Sequence, residues 1–337
     1  MSGIKHYEGS TVLISGGAGF IGSALVDALS NICCQIILLL RPGRSFSTIP
    51  NASAKIVTVH GDIRKRQTWA GSLDGVDYVF HLAAQTSGYV ANNDPLADLD
   101  ANVVPVLEML EACRQGGLKP AILYSGTVTE MGLPQRMPVD ESAQDLPVTV
   151  YDIHKLTGEK YLQFYSREAD IPAVTLRLAN VYGPGRNVGS GDRGVLNLMV
   201  KNALNNKPLT VYGDGSNTRD YIFIDDVVSA FLVAGVRASD LKGSYYLIGS
   251  GEGTRIVDAF NLVADRVKHK TGISPAVEHI PSPDSLSSIE DRDFIADTSA
   301  FRSATSWAPQ VPLAEGIDRI IEHLVSQQKT YTLRLPR

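Results

Sequence analysis

The chain has 337 residues, 44% of them hydrophobic and 20% charged, and its 31 basic and 36 acidic side chains leave a net charge of −5. That length and composition suit a globular protein of roughly two domains, or one enlarged α/β unit. The acidic balance and the lack of a long basic run argue against nucleic acid as a partner, and no apolar stretch reaches membrane-spanning length. Residues Met1–Ser10 carry no apolar segment of the signal-peptide kind, so the cytoplasm is the expected compartment. Cys33, Cys34 and Cys113 have neither the number nor the spacing for a disulfide framework or a CxxC metal site.

Short apolar runs alternate with helical patterns, which predicts βαβ units and a parallel sheet. Thr11–Ser15 reads as the first strand, followed by a helix with Ile21, Leu25, Val26 and Leu29 at helical spacing. Ile36–Leu40, Lys55–Val59 and Tyr78–Leu82 read as the next three strands. A helix through Val103, Leu107 and Leu110 precedes a fifth strand at Ala121–Tyr124, and Val174–Leu178 is the sixth. From Asn180 the texture changes, because Gly, Pro and Asn cluster through Asn180–Gly194 and Val211–Asp220 and predict loops. Ser282–Ser288 is a further loop-like stretch. The expected architecture is α/β, a Rossmann-type doubly wound parallel sheet with a smaller C-terminal substrate-binding domain. Residues 1–179 form the first domain and 180–337 mainly the second, with 221–250 returning to the first.

Gly16, Gly19 and Gly22 stand directly after the first strand and open the first helix. Glycines there permit a tight turn and close backbone approach to a pyrophosphate, while the helix start offers unpaired N–H groups and the positive end of its dipole. An NAD-binding loop needs a carboxylate after the second strand; here Leu40 is followed by Arg41, Pro42, Gly43 and Arg44. Two guanidinium groups suit a 2′-phosphate, so NADP(H) is favoured, with NAD(H) the alternative. Asp62, after the third strand, is placed to bond an adenine edge.

Tyr151 and Lys155 are four residues apart, a spacing that puts both on one helix face. A phenol is a weak base at neutral pH, and a nearby ammonium stabilises its phenolate form. Ser125, Thr127 and Thr129 follow the fifth strand, at the sheet end where open α/β folds place their chemistry. A hydroxyl there can polarise a substrate oxygen. His154 points off the Tyr151–Lys155 face and reads as a surface or interface residue. The seven histidines are scattered, and no metal is expected.

Together GGAGFIG (Gly16–Gly22), HLAA (His81–Ala84), YDIHK (Tyr151–Lys155), LRLANVYGPG (Leu176–Gly185) and RDYIFIDDV (Arg219–Val227) resemble the extended short-chain dehydrogenase/reductase family, the nucleotide-sugar epimerases, dehydratases and reductases. The resemblance implies a catalytic triad of Thr127, Tyr151 and Lys155. Counting back from Gly132 selects Thr127, although Glu130–Met131 departs from the family's Val–Tyr; Ser125 is the alternative. It implies that Phe20, Ile21, Ile63, Leu82, Ala83 and Ala84 line the cofactor cleft with the glycines. Gln85, Thr127, Asn180 and Arg219 would contact the substrate, Arg219 at the diphosphate. It also implies that Val174–Leu178 closes the sheet, and that the helices near Asn102–Arg114 and Tyr151–Tyr165 form a homodimer.

The resemblance leaves the reaction to be chosen. Val128 and Thr129 stand where the family's 4,6-dehydratases carry Asp–Glu, which counts against water loss. A 4-keto-6-deoxyhexose reductase using NADPH is favoured, on Arg41, Arg44 and the C-terminal stretches Tyr245–Gly253 and Phe294–Arg319. A 4-epimerase with tightly bound NAD is the alternative. A non-catalytic NADP(H) sensor fits poorly with an intact Tyr151–Lys155 pair, and a reductase of small carbonyl compounds fits poorly with Arg219 and the Asn180–Gly185 segment.

Overall fold

Parallel strands rich in Ile, Leu and Val must be covered on both faces, and the amphipathic helices between them supply the cover. The computed structural model describes residues 3–185, 194–283 and 287–332. Residues 186–193 and 284–286, within the two expected loop stretches, lie outside the described residues. The elements run β1 (Thr11–Ser15), α1 (Phe20–Leu29), β2 (Gln35–Leu40), β3 (Lys55–His60), α2 (Arg66–Ala70), β4 (Tyr78–His81), α3 (Gly88–Asn93) and α4 (Pro95–Asn102). They continue with α5 (Val104–Gly116), β5 (Ala121–Thr127), α6 (Val150–Glu168), β6 (Ala173–Leu178), β7 (Asn180–Tyr182), α7 (Val195–Leu204), β8 (Leu209–Tyr212) and β9 (Thr218–Phe223). The last are α8 (Ile224–Val236), α9 (Ala238–Leu241), β10 (Tyr245–Ile248), β11 (Gly253–Arg255), α10 (Ile256–Thr271), β12 (Val277–Ile280), α11 (Ser299–Thr305) and α12 (Leu313–Thr332).

Seven parallel strands form the main sheet in the order β10-β6-β5-β4-β1-β2-β3. Alternation along β1 sends Val12 and Ile14 into one core, with Leu25 and Val26 of α1 and Phe231 of α8, while Leu13 enters another with Val106, Leu110 and Leu162. Every residue of β6 is buried, whereas β3, at the sheet edge, keeps most of its side chains at the surface. The expectation that Val174–Leu178 closes the sheet is corrected by β10, which pairs outside β6 with Tyr245 opposite Thr175. Four residues of Tyr-Tyr-Leu-Ile are too short to announce an edge strand on their own.

The chain between Tyr221 and Ser250 divides its loyalties. β9 joins β7 and β11 in a three-stranded sheet, while β10 joins the main one. A separate core of Leu196, Val200, Leu209, Phe260, Ile317 and Ile320 holds α7, α10 and α12 together. Buried Asp220 ties these parts: it accepts hydrogen bonds from the Ser250, Gly251 and Ala296 amides at 2.7, 3.0 and 3.1 Å. Among the described residues no helix is long and apolar enough to cross a membrane.

Candidate active site

The C-terminal ends of β1, β4 and β5 lie side by side, with Ser15 opposite His81 and His81 opposite Tyr124. Whatever follows those strands therefore opens onto one cleft. Thr127 ends β5 and caps the 3-10 turn Val128–Met131: its Oγ1 accepts the Thr129 amide at 3.3 Å, and its own amide donates to Glu130 Oε1 at 2.8 Å. Thr149 and Asp152 form a capping box that starts α6, which puts Tyr151 in the first turn and Lys155 in the next. A hydroxyl ladder joins the two elements. Thr127 and Thr129 hydroxyls lie 2.9 Å apart, and Thr129 donates to Asp152 Oδ1 at 2.5 Å. Asp152 also accepts from the Thr149 hydroxyl at 2.7 Å.

Lys155 is buried, with Nζ 3.9 Å from the centre of the Tyr124 ring. Burial lowers its pKa, and the carboxylates of Glu130, Asp98 and Glu159 oppose that shift. The departure at Glu130 now has a physical account. Its carboxylate is buried beside Arg177, at 3.0 Å from Nε, and Arg177 also pairs with Glu159 at 2.8 Å and Asp145 at 2.6 Å. Burial and then Glu159 raise the Glu130 pKa, against the pull of Arg177. A polar cluster thus replaces an apolar residue behind the threonine, and it fixes the Thr127 amide.

At the other end of the cleft, Gly16 has φ +78°, and a Cβ there would meet the Ala83 amide at 2.6 Å; a Cβ on Gly22 would lie 2.2 Å from the Gly16 carbonyl. Only glycines allow this loop, this helix and the β4 end to close together. Gly19, the N-cap of α1, supplies no side-chain cap, so the first N–H groups of a ten-residue helix remain for an anion. These features fit a dinucleotide pyrophosphate. Arg41 and Arg44 are exposed in the turn after β2, with the Arg44 amide bonded to the Arg41 carbonyl at 3.0 Å. Asp62 is clamped by Arg64 at 2.8 Å, which holds its pKa down to about 2. Phe20 and Ile21 open α1, and Leu82, Ala83 and Ala84 run on from β4. Ile63 gives its carbonyl to the Trp69 indole at 2.7 Å.

Gln85, expected at the substrate, spends its amide within the protein: it donates to Asp98 at 2.7 Å and to the Ser87 carbonyl at 2.8 Å, and accepts from the Ser87 amide. The surface reading of His154 is corrected: its ring is mostly covered, with Nδ1 2.6 Å from buried Asp98 on α4. Among the described residues no group of three or more His, Cys, Asp or Glu side chains is arranged to hold a metal.

Asn180 and Arg219 come together with a residue the sequence reading missed. Arg292 is buried and donates to Asn180 Oδ1 at 3.3 Å and to the Ile289 carbonyl at 3.0 Å. Arg219, also buried, donates to the Arg292 and Glu290 carbonyls and lies 3.5 Å from the Glu290 carboxylate. Burial first, and the neighbouring Arg219 second, pull the Arg292 pKa down to about 10. Arg292 Nε is buried with no protein partner among the described residues. Two crowded guanidinium groups with one unspent donor form a seat that an anion would relieve.

A sequence model described as the NAD dependent epimerase/dehydratase family matches residues 12–249. The chain belongs to that family. It is 34% identical to the UDP-glucose 4-epimerase of Mycolicibacterium smegmatis over 92% of this chain and 97% of the relative. The solved UDP-glucose 4-epimerase of Thermotoga maritima, with UDP-glucose, superposes with a TM-score of 0.82 at 29% identity, covering 94% of this chain and 99% of the other. That of Thermus thermophilus, complexed with NAD, gives a TM-score of 0.78 at 28% identity over 94% and 99%. The family membership makes this an enzyme of the extended short-chain dehydrogenase/reductase type with a Rossmann-like α/β fold, NAD-dependent as a class.

Proposed function

We propose that the chain is a nucleotide-sugar 4-epimerase working with tightly held NAD, rather than the NADPH-dependent reductase that the sequence favours. The observation that carries this reading is the hydroxyl ladder that ties Thr127 to the start of α6, the helix of Tyr151 and Lys155, together with a buried pair of arginines at Asn180 and no further acid or base at positions 128 and 129. Val128 is buried, and the Thr129 hydroxyl is committed to Asp152. Full-length similarity to two UDP-glucose 4-epimerases supports the same reaction.

NAD, when bound over Gly16–Gly22, supplies the acceptor and later the donor of the C4 hydride. Tyr151 takes the proton from the 4-hydroxyl and returns it after the ring has turned. Thr127 bonds the same oxygen and holds it against the phenol. Lys155 keeps the phenol acidic through its positive charge. Arg219, Arg292 and Asn180 grip the diphosphate, so the substrate is anchored by its nucleotide while the keto sugar rotates. A homodimer through α5 and α6 belongs to the same proposal, supported by exposed Ile153 and Phe164 on α6.

One observation favours a second reading. Arg41 and Arg44 stand where an NAD carboxylate is expected, which suits NADPH-dependent reduction of a 4-keto-6-deoxy sugar nucleotide. The purified protein distinguishes the two. Given UDP-glucose and no added cofactor, the epimerase produces the C4 epimer, seen by proton NMR. If it instead consumes NADPH stoichiometrically with a 4-keto sugar nucleotide and leaves UDP-hexoses unchanged, the epimerase reading is lost.

A further inference from the structure

His81 begins the HLAA motif, and its ring is turned into the protein interior. It is fully buried, 2.7 Å from the Ser15 hydroxyl through Nδ1, and lies edge-on to Trp69 at 5.5 Å. Its other aromatic neighbour is Tyr124, stacked at 5.8 Å with 13° between the rings. Tyr124 in turn carries the Lys155 ammonium over its ring. The last residue of β1, immediately before the glycine loop, is thus joined through two rings to the catalytic lysine.

The Tyr124 hydroxyl explains little of this. It is buried without a protein hydrogen-bond partner among the described residues, and room for it depends on Gly158, where a Cβ would stand 2.7 Å from the oxygen. The ring is the part that makes contact. The charged groups facing Lys155 are held elsewhere: Glu130 and Glu159 by Arg177, and Asp98 by His154, Gln85 and Asn102. His81 stays neutral beside the ammonium, since burial and then Lys155 push its pKa down to about 3. Among the described residues Lys155 Nζ has no hydrogen-bond acceptor, so the aromatic face is its nearest support.

We propose that Tyr124 is the positioning residue for Lys155. Its ring, held in place by His81 and Ser15, seats the ammonium one helical turn from Tyr151 and keeps it charged where water cannot. A desolvated cation over an aromatic face is stabilised enough to matter, by roughly a tenfold or larger factor in the protonation equilibrium. The inference deepens the proposed function, because it rests on the Tyr151–Lys155 pair acting on a sugar hydroxyl.

The test compares Tyr124→Phe, which keeps the face, with Tyr124→Leu, which removes it. The Tyr151 phenol is titrated by tyrosinate absorbance, in protein with bound NAD, and assigned by repeating each titration in the Tyr151→Phe background. Tyr124→Phe should titrate like the parent. Tyr124→Leu should raise the Tyr151 pKa by about one unit, because an ammonium displaced from its seat or deprotonated no longer favours the phenolate. Its pH–rate profile should narrow from both sides, as phenolate forms at higher pH and the ammonium is lost at lower pH. If Tyr124→Leu does not fold, Tyr124→Met fills the space with a flexible apolar chain and is held to the same expectation. A leucine or methionine variant that titrates like the parent overturns the proposal, as does a phenylalanine variant that shifts as they do. Absence of hexose interconversion in the parent sinks the epimerase reading alone, because the absorbance titration needs no substrate.

Discussion

Two pairs of arginines mark the two ends of the cleft, and they differ in everything but residue type. Arg41 and Arg44 stand exposed on a turn after β2, where water solvates them at no cost whether or not a phosphate arrives. Arg219 and Arg292 are buried against each other, against backbone carbonyls and beside Glu290. Burying two like charges is unfavourable unless something offsets it, and in the proposed function a dianionic diphosphate would do so on binding. In the proposed reading the exposed pair would only tune which cofactor is preferred, whereas the buried pair would be a prebuilt receptor whose crowding is relieved by a bound anion. An arginine's neighbours, more than its presence, set how much binding depends on it.

The comparison is sharpened first by a variant that touches neither pair. Tyr151→Phe should cut epimerase turnover by about a thousandfold while NAD and UDP-sugar affinities, measured by equilibrium dialysis, hold; retained turnover would remove Tyr151 from the chemistry. Arg292→Met should raise the Kd for UDP-glucose by roughly a hundredfold, with little loss of thermal stability, since one of two crowded charges is gone. An unchanged Kd would break the buried half of the comparison. Replacing Arg41 and Arg44 together with Ala should weaken NADPH by about tenfold and leave NADH nearly untouched, and that selectivity should fade with added salt. Equal effects on both cofactors would mean the pair meets no 2′-phosphate. The smallest effect belongs to Asp62→Asn. Its carboxylate is already clamped by Arg64 near the surface, so cofactor Kd should change by less than about threefold.

The glycine turn after β1 was legible because its logic is local. Gly16, Gly19 and Gly22 sit within one strand–turn–helix unit, and the β1 to β6 positions follow from short apolar runs. Tyr151 and Lys155 share a helix face by spacing alone. The register of Thr127 looked doubtful only because Glu130 breaks the apolar pattern, and the reason lies 47 residues away by number, in Arg177 on β6. His154 was assigned to the surface or an interface by helix geometry, which locates a face but does not see that α4 brings Asp98 onto it. Arg292 left no signal, because a single arginine 73 positions beyond Arg219 gains meaning only when β9 and the segment before α11 are folded together. Long-range electrostatic pairs are what a linear reading loses.

The central claim is that a hydride leaves C4 of the sugar and returns to the same carbon from the opposite face. It is tested most directly with UDP-glucose carrying deuterium at C4, incubated with the enzyme, excess unlabelled NAD and no other reductant. Mass spectrometry of the epimerised sugar should find the deuterium still at C4, with none in the added cofactor pool. Loss of the label to solvent, or its release into free NADH, would contradict the account.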